Sequence, residues 1–313
     1  MNNKYLFLSL IFVALTILGY AQQASFTKIP VGPGPEDIAI DTLGAERLLI
    51  SCSERRGGSI NGNGIWAYDL ETGKTKKLQI TLKTKRAFNP HGIYLIYENG
   101  GKYLFVINHI SKKQNEIIRF RVLTNSIVEE KNFRDKLIKH PNDIFAVDKN
   151  EFYFTNDRPF CGSITKYDEG EYSTIAKSLS YPNGIQGIND TLYVSTIISN
   201  KVFQIYQTES GYKRKKLLKV KGGDNFSVNG KNSLLLTSHP KLMKFVKHAK
   251  NPDKKSPSQV FEIDTQTGEK KLIFSSEGED ISAVSVAVEY KGFLYLGQVF
   301  DGFILKVPIK SKQ

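Results

Sequence analysis

Apolar and polar residues alternate along most of this chain in runs of four to eight, each closed by Gly, Asn or Asp. That period of two predicts short half-buried strands rather than helices. The stretch KHPNDIFAVDKNEFYFTND, Lys139 to Asp157, shows the unit: two β-type runs, IFAV and FYF. Asn142 and Asp143 head the first run, and Asn156 and Asp157 end the second. Asn and Asp are poor strand formers and costly to bury unpaired, so their presence at one common end of a hairpin needs a reason.

The hairpin recurs. First strands read EDIAID at Glu36, HGIYLI at His91, NGIQGI at Asn183, DNFSVN at Asp224 and VSVAVEY at Val284. Comparable heads, at Asp37, Gly92, Asp143, Gly184, Asn225 and Ser285, lie 55, 51, 41, 41 and 60 residues apart. A third strand follows each hairpin, from GIWAYDL to GFILKV, and blades one to five continue into an outer strand such as KTKKLQI, YSTIAK or EKKLIF. No long helical pattern interrupts them. Six such units at this period predict an all-β, six-bladed propeller over 22–313. An open β-sandwich is disfavoured, because six similar units need a ring or a solenoid. After GFILKV the chain nearly stops, and ASFTKIP, before the first repeat, is a spare strand. Pairing it onto the last blade closes the ring and hides an open edge.

The first strand of a propeller blade is innermost, so the heads converge on the axis: Glu36 with Asp37, His91, Asn142 with Asp143, Asn183, and Asp224 with Asn225. The second strand returns to the same face, which places His109, Asn156 with Asp157, Ser195 and His239 around one mouth. Carboxylates and amide carbonyls are hard oxygen donors, which suit calcium, whereas zinc prefers His and Cys. A water-filled channel is the plainer alternative.

Outside the repeats, MNNKYLFLSLIFVALTILGYAQQ has Lys4, an apolar run from Tyr5 to about Gly19 and a small-residue ending, as in a secretory signal cut after Ala21. Residues 1–21 therefore predict export, to a periplasm or beyond, with an uncleaved anchor as the alternative. The 44 Lys+Arg against 31 Asp+Glu leave a formal +13. Export argues against a nucleic-acid partner, and runs such as KRKK (Lys213 to Lys216) read as a solvated strand face. Cys52 and Cys161 are the only thiols, too few for a disulfide framework, and their pairing is undetermined.

The motifs GPEDIAI, FNPHGI, VINH, PNDIFAVDKNEFYFTND, PNGI, DNFSV, SHP and YKGFLYLGQVF stand in an order that resembles the paraoxonase (serum paraoxonase/arylesterase) family. The resemblance covers nearly the whole chain after the leader. It implies a propeller with two calcium ions in its channel, hydrolysing lactones and aryl esters. It implies that Glu36, Asn142, Asn183, Asp224 and Asn225 hold a catalytic calcium. Asp37, Asp143 and the backbone carbonyl of Ile93 would hold a structural one. The water-activating pair would be His91 and His109, with His239, Tyr181 and Ser285 lining the substrate pocket. Two departures stand out. Only RPFCGS follows TND where mammalian members carry a long aromatic insertion, so a more open pocket is expected. The family's disulfide joining the chain ends has no counterpart here.

The expected chemistry is metal-assisted ester hydrolysis on a small-molecule ester or lactone, with His91 as general base. Rival readings are a sugar-lactone hydrolase of the gluconolactonase/regucalcin type and a non-catalytic ligand-binding propeller with structural calcium. No specific membrane partner is indicated. His140 reads as a loop-positioning residue, His248 in FVKHAKNPDKK as solvated, and Trp66 as core between blades.

Overall fold

The computed structural model describes residues 26–309; the leader read over 1–21 lies outside them. Within that span the chain forms six consecutive sheets. Blade 1 is built from Pro35–Asp41, Arg47–Cys52, Gly64–Asp69 and Thr75–Lys77. Blade 2 starts with Pro90–Glu98 and Gly101–Ser111, and blade 3 with Pro141–Ala146 and Glu151–Asn156. Blades 4, 5 and 6 start at Pro182–Ile188, Gly223–Val228 and Val284–Tyr290. The early strand Thr27–Pro30 pairs antiparallel with Phe303–Pro308, Thr27 opposite Lys306, as the outer strand of blade 6.

Two local expectations are corrected. The stretch KTKKLQI is not one outer strand of blade 1. Thr75–Lys77 stays with blade 1, but Gln79–Thr81 adds in parallel to the edge of blade 2. The crossing residue Leu78 is buried and donates to Ile65 O, so one apolar side chain anchors the chain between the two sheets. The Lys-rich segment in blade 5 contains a helix, Leu242–Lys250. Its His248, expected in solvent, is 1% exposed. The ring Nδ1–H donates to Lys254 O (2.5 Å), Nε2 accepts from Arg56 (2.9 Å), and the ring face meets Phe300. Trp66 packs against the core between blades 6 and 1, and its indole donates to Gly62 O at 2.9 Å. Cys52 is buried, Cys161 exposed, and both are free.

The alternating pattern explains the packing. Inward side chains of adjacent blades merge into six apolar clusters, one per interface; that between blades 2 and 3 is aromatic, with Phe105, Phe133, Phe152 and Tyr167 within 4.8–5.4 Å of a neighbouring ring. Burial of these faces drives ring closure.

Around the axis, hydroxyls peg five of the six blade junctions, all but that between blades 2 and 3. Ser51 Oγ donates to His91 O, Thr155 Oγ1 to Asn183 O, Ser195 Oγ to Asp224 O and Thr237 Oγ1 to Ser285 O. Ser285 Oγ ties the last blade to the first by donating to Glu36 O at 2.6 Å. Two heads are glycine because nothing larger fits: a Cβ on Gly92 would lie 2.6 Å from Asn142 O, and one on Gly184 2.4 Å from Asp224 O. Ser195 also accepts from Gly184 N at 2.9 Å, so Ser195→Ala strands a donor and an acceptor in a dry interior. Chemical denaturation of that variant is expected to show a loss of about 2–3 kcal/mol.

Candidate metal centre and active site

The innermost strands bring the polar heads together. A cavity of about 200 Å3 opens at one end of the channel, lined by Glu36, His91, Asn142, Asn183, Asp224 and His239 among others. Tyr181 and Asp157 stand on its wall, and Leu242 and Phe245 of the helix give it an apolar side. Asp37 and Asp143 line a separate opening of about 240 Å3 with Ile93 and Tyr94.

The buried oxygens at the first opening lack partners. Glu36 Oε2, Asn142 Oδ1, Asn183 Oδ1 and Asn225 Oδ1 are all buried without a hydrogen bond. Two of these amides are held in place by their own NH2 groups. Asn225 Nδ2 donates to Glu36 Oε1 at 2.8 Å, and Asn142 Nδ2 to Asp157 Oδ2 at 3.1 Å. With their NH2 groups donating to these carboxyl oxygens, both amides turn their own oxygens away, toward the hub. A buried acceptor left unmade costs roughly 1–3 kcal/mol, so these four oxygens suit a cation or ordered water at the hub. Burial pushes the Glu36 carboxyl up to about 8, against the pull of Arg55. Asp224 is locked by His239, whose Nε2–H donates to Asp224 Oδ2 at 2.7 Å.

Among the described residues, no group of three or more His, Cys, Asp or Glu side chains stands ready to hold a metal ion. An ion here would rely on asparagine oxygens as well, which fits a hard cation and not zinc. The second set is different. Both oxygens of Asp37 accept backbone donors, from Ile38 and Ile93 at 2.8 and 2.7 Å. Asp143 does the same with Ile144 and Ile185. Neither carboxylate is orphaned, but burial raises Asp37 to about 7 and Asp143 well above the usual range. Two neighbouring buried acids held up in this way would be relieved by a cation.

His91 and His109 meet edge to face, with His109 Nε2 3.1 Å from His91 Nδ1. Beyond them stands Asn115, which sequence reasoning missed. Its Nδ2 donates to Lys139 O and its Oδ1 lies 2.7 Å from His109 Nδ1. That pins the protons: His109 carries its hydrogen on Nδ1, so its Nε2 accepts from His91 Nδ1–H. The lone pair of His91 Nε2 then faces the hub, 3.5 Å from Glu36 Oε1. Burial, the Arg55 charge and His109 hold His91 well below the usual imidazole range, so it is neutral near pH 7.

Arg55 is the second residue missed. Its Nη1 lies 3.3 Å from His91 Nδ1, and its Nε and Nη2 are buried without partners. In the sequence it is one basic residue of SERRGG among many surface cations; the usable signal was its place just past the end of a second strand.

The remaining expectations divide. His239 and Tyr181 line the mouth, and Tyr181 hydrogen-bonds Asp157, whose carboxyl burial raises to about 6. Ser285 does not line it: the side chain is fully buried, its hydroxyl used on Glu36 O. Asn156 and Ser195 are also structural, Asn156 Oδ1 accepting from the Lys139 and His140 amides. His140 accepts from Arg158, consistent with a loop role.

Residues 57–305 match the family model described as Arylesterase. Human serum paraoxonase/lactonase 3 is 28% identical over 241 residues, 69% of this chain and 68% of that protein. Human serum paraoxonase/arylesterase 1 is 28% identical over 238 residues, 68% and 67% of the two chains. Among solved structures, a gluconolactonase from Xanthomonas campestris superposes with a TM-score of 0.59 at 14% identity, covering 92% of this chain and 90% of that one. At that identity the likeness speaks to the fold alone. With the family model spanning most of the propeller, the chain belongs to the arylesterase family.

Proposed function

We propose that this protein is an exported, calcium-dependent hydrolase of lactones and aryl esters. The observation that carries the reading is the set of four orphaned buried oxygens facing one hub beside a neutral histidine. Glu36, Asn142, Asn183, Asp224 and Asn225 would hold the catalytic ion. Asp37, Asp143 and the Ile93 carbonyl would hold a second, structural ion. Bound calcium supplies the positive charge that polarises an ester carbonyl and stabilises the oxyanion.

The chain's own groups handle the proton. His91 Nε2 takes it from water, and the Glu36 carboxylate at 3.5 Å offsets the imidazolium charge that results. His109, oriented by Asn115, keeps the His91 lone pair turned inward. Tyr181, Leu242 and Phe245 give the acyl or leaving group a mixed polar and apolar wall. Asn115 touches no reacting atom, so it is a positioning residue. Asn115→Leu is expected to lower kcat about tenfold with KM unchanged, and to shift the acid limb of the pH–rate profile, which a purely structural change would not move.

The test of function is a panel of phenyl esters, hydrophobic lactones and gluconolactone, assayed with and without a calcium chelator. Turnover of the first two that chelation abolishes supports the proposal. Turnover of gluconolactone alone favours the sugar-lactone reading, and no turnover of any substrate favours a binding module.

A further inference from the structure

A cleft of about 970 Å3 lies off the channel axis, among the loops of blade 2 and the entry to blade 3. It shares Asn115 with the histidine relay, and its Arg158 is adjacent in sequence to Asp157 of the mouth. Eight cations line it against one acid, Asp135. Two of the eight are neutralised within the protein: Arg86 and Arg134 bind the buried Glu116 at 2.5 and 2.7 Å. The other six are Lys85, Lys112, Lys113, Lys136, Lys139 and Arg158. All are exposed, and among the described residues none makes an ion pair. Asp135 caps the Leu137 amide at 2.7 Å and neutralises none of them.

Unpaired lysines also stand on the outer strand Gly211–Lys219, but there they lie along a single strand, whereas these six cations line one concave wall. Like charges gathered without counter-charge repel, and a concave wall concentrates their field on whatever enters. We infer that this cleft binds an extended polyanionic glycan, one bearing several carboxylate, sulfate or phosphate groups along its chain. The lining selects that class. Apart from His140 it holds no aromatic ring on which a nucleic-acid base would stack. It offers no Trp, Phe or Leu for insertion into lipid, and its concavity suits a linear polymer rather than a flat bilayer. Thr84 and Gln114 supply donors and acceptors for sugar hydroxyls. The site is independent of catalysis, although a polymer bound there would lie beside the relay.

The test compares two triple variants with the same change in net charge. One is Lys112→Glu/Lys113→Glu/Lys136→Glu in the cleft; the other is Lys213→Glu/Lys215→Glu/Lys216→Glu on the exposed outer strand Gly211–Lys219. Affinity for labelled dextran sulfate, with polygalacturonate as competitor, is measured over a range of NaCl. The cleft variant is expected to bind about tenfold more weakly and with a flatter salt dependence, the strand variant within about twofold of wild type. In the unaltered protein, bound dextran sulfate should also protect Lys112, Lys113 and Lys136 from acetylation while leaving Lys213 reactive. That readout stands if a variant fails to fold. Equal losses in both variants, uniform protection, or tighter binding to single-stranded DNA or phosphatidylglycerol vesicles than to either glycan would overturn the inference.

Discussion

Replacing His91 by glutamine is expected to cut kcat for phenyl ester and lactone hydrolysis by about a hundredfold to ten-thousandfold while the thermal unfolding curve stays in place. Glutamine is close in size and can still reach Glu36, but its amide has no basic lone pair. The histidine is free to accept a proton, because burial and the neighbouring Arg55 hold it neutral, and Asn115 and His109 turn its Nε2 toward the hub. Steady-state kinetics on the purified variant, with circular dichroism as the fold control, decide the matter. Turnover near wild type would remove His91 as the base.

Stripping calcium is expected to have the largest effect on stability. The hub presents Glu36 with one orphaned oxygen and three asparagines with another three, all buried where the six blades meet. An ion present at a thousandfold excess over its Kd stabilises the folded state by about 4 kcal/mol. For a chain of this size, its removal should lower Tm by about 10 °C. Calorimetry in excess chelator, and again after calcium is restored, measures this. Glu36→Gln should show a lowered Tm in calcium-containing buffer and a smaller further drop in chelator than the native protein. An unchanged Tm in chelator would mean that water satisfies these oxygens.

Much of this architecture was legible from residue order. The period-two runs and their polar heads marked six blades, and a spare strand at Ala24 to Pro30 matched a missing one at the end; the pairing of Thr27–Pro30 with Phe303–Pro308 follows. The heads do converge, because a first strand has only one place to go in a propeller. What escaped depended on contacts that a linear pattern does not encode. Gln79–Thr81 left blade 1 because Leu78 found a buried seat at the crossing. The helix Leu242–Lys250 was hidden by its lysines, although Leu242, Phe245 and Val246 stand at helical spacing. Ser285 sits at a head position, yet its hydroxyl is spent closing the ring onto Glu36 O. Arg55 lies just beyond a strand end, where only the folded loop brings it against His91. Asn115 stands opposite His109 across the hairpin, a pairing that depends on the register between Gly101–Ser111 and Gln114–Val122.

The central claim is that the hub oxygens hold calcium. Its most direct test is the calcium content per chain, by elemental analysis, of protein purified without chelator and dialysed exhaustively against metal-free buffer. The account expects two calcium ions per chain in the native protein, with one lost in Glu36→Gln. Calcium at background level in the native protein, or an unchanged count in the variant, would contradict it.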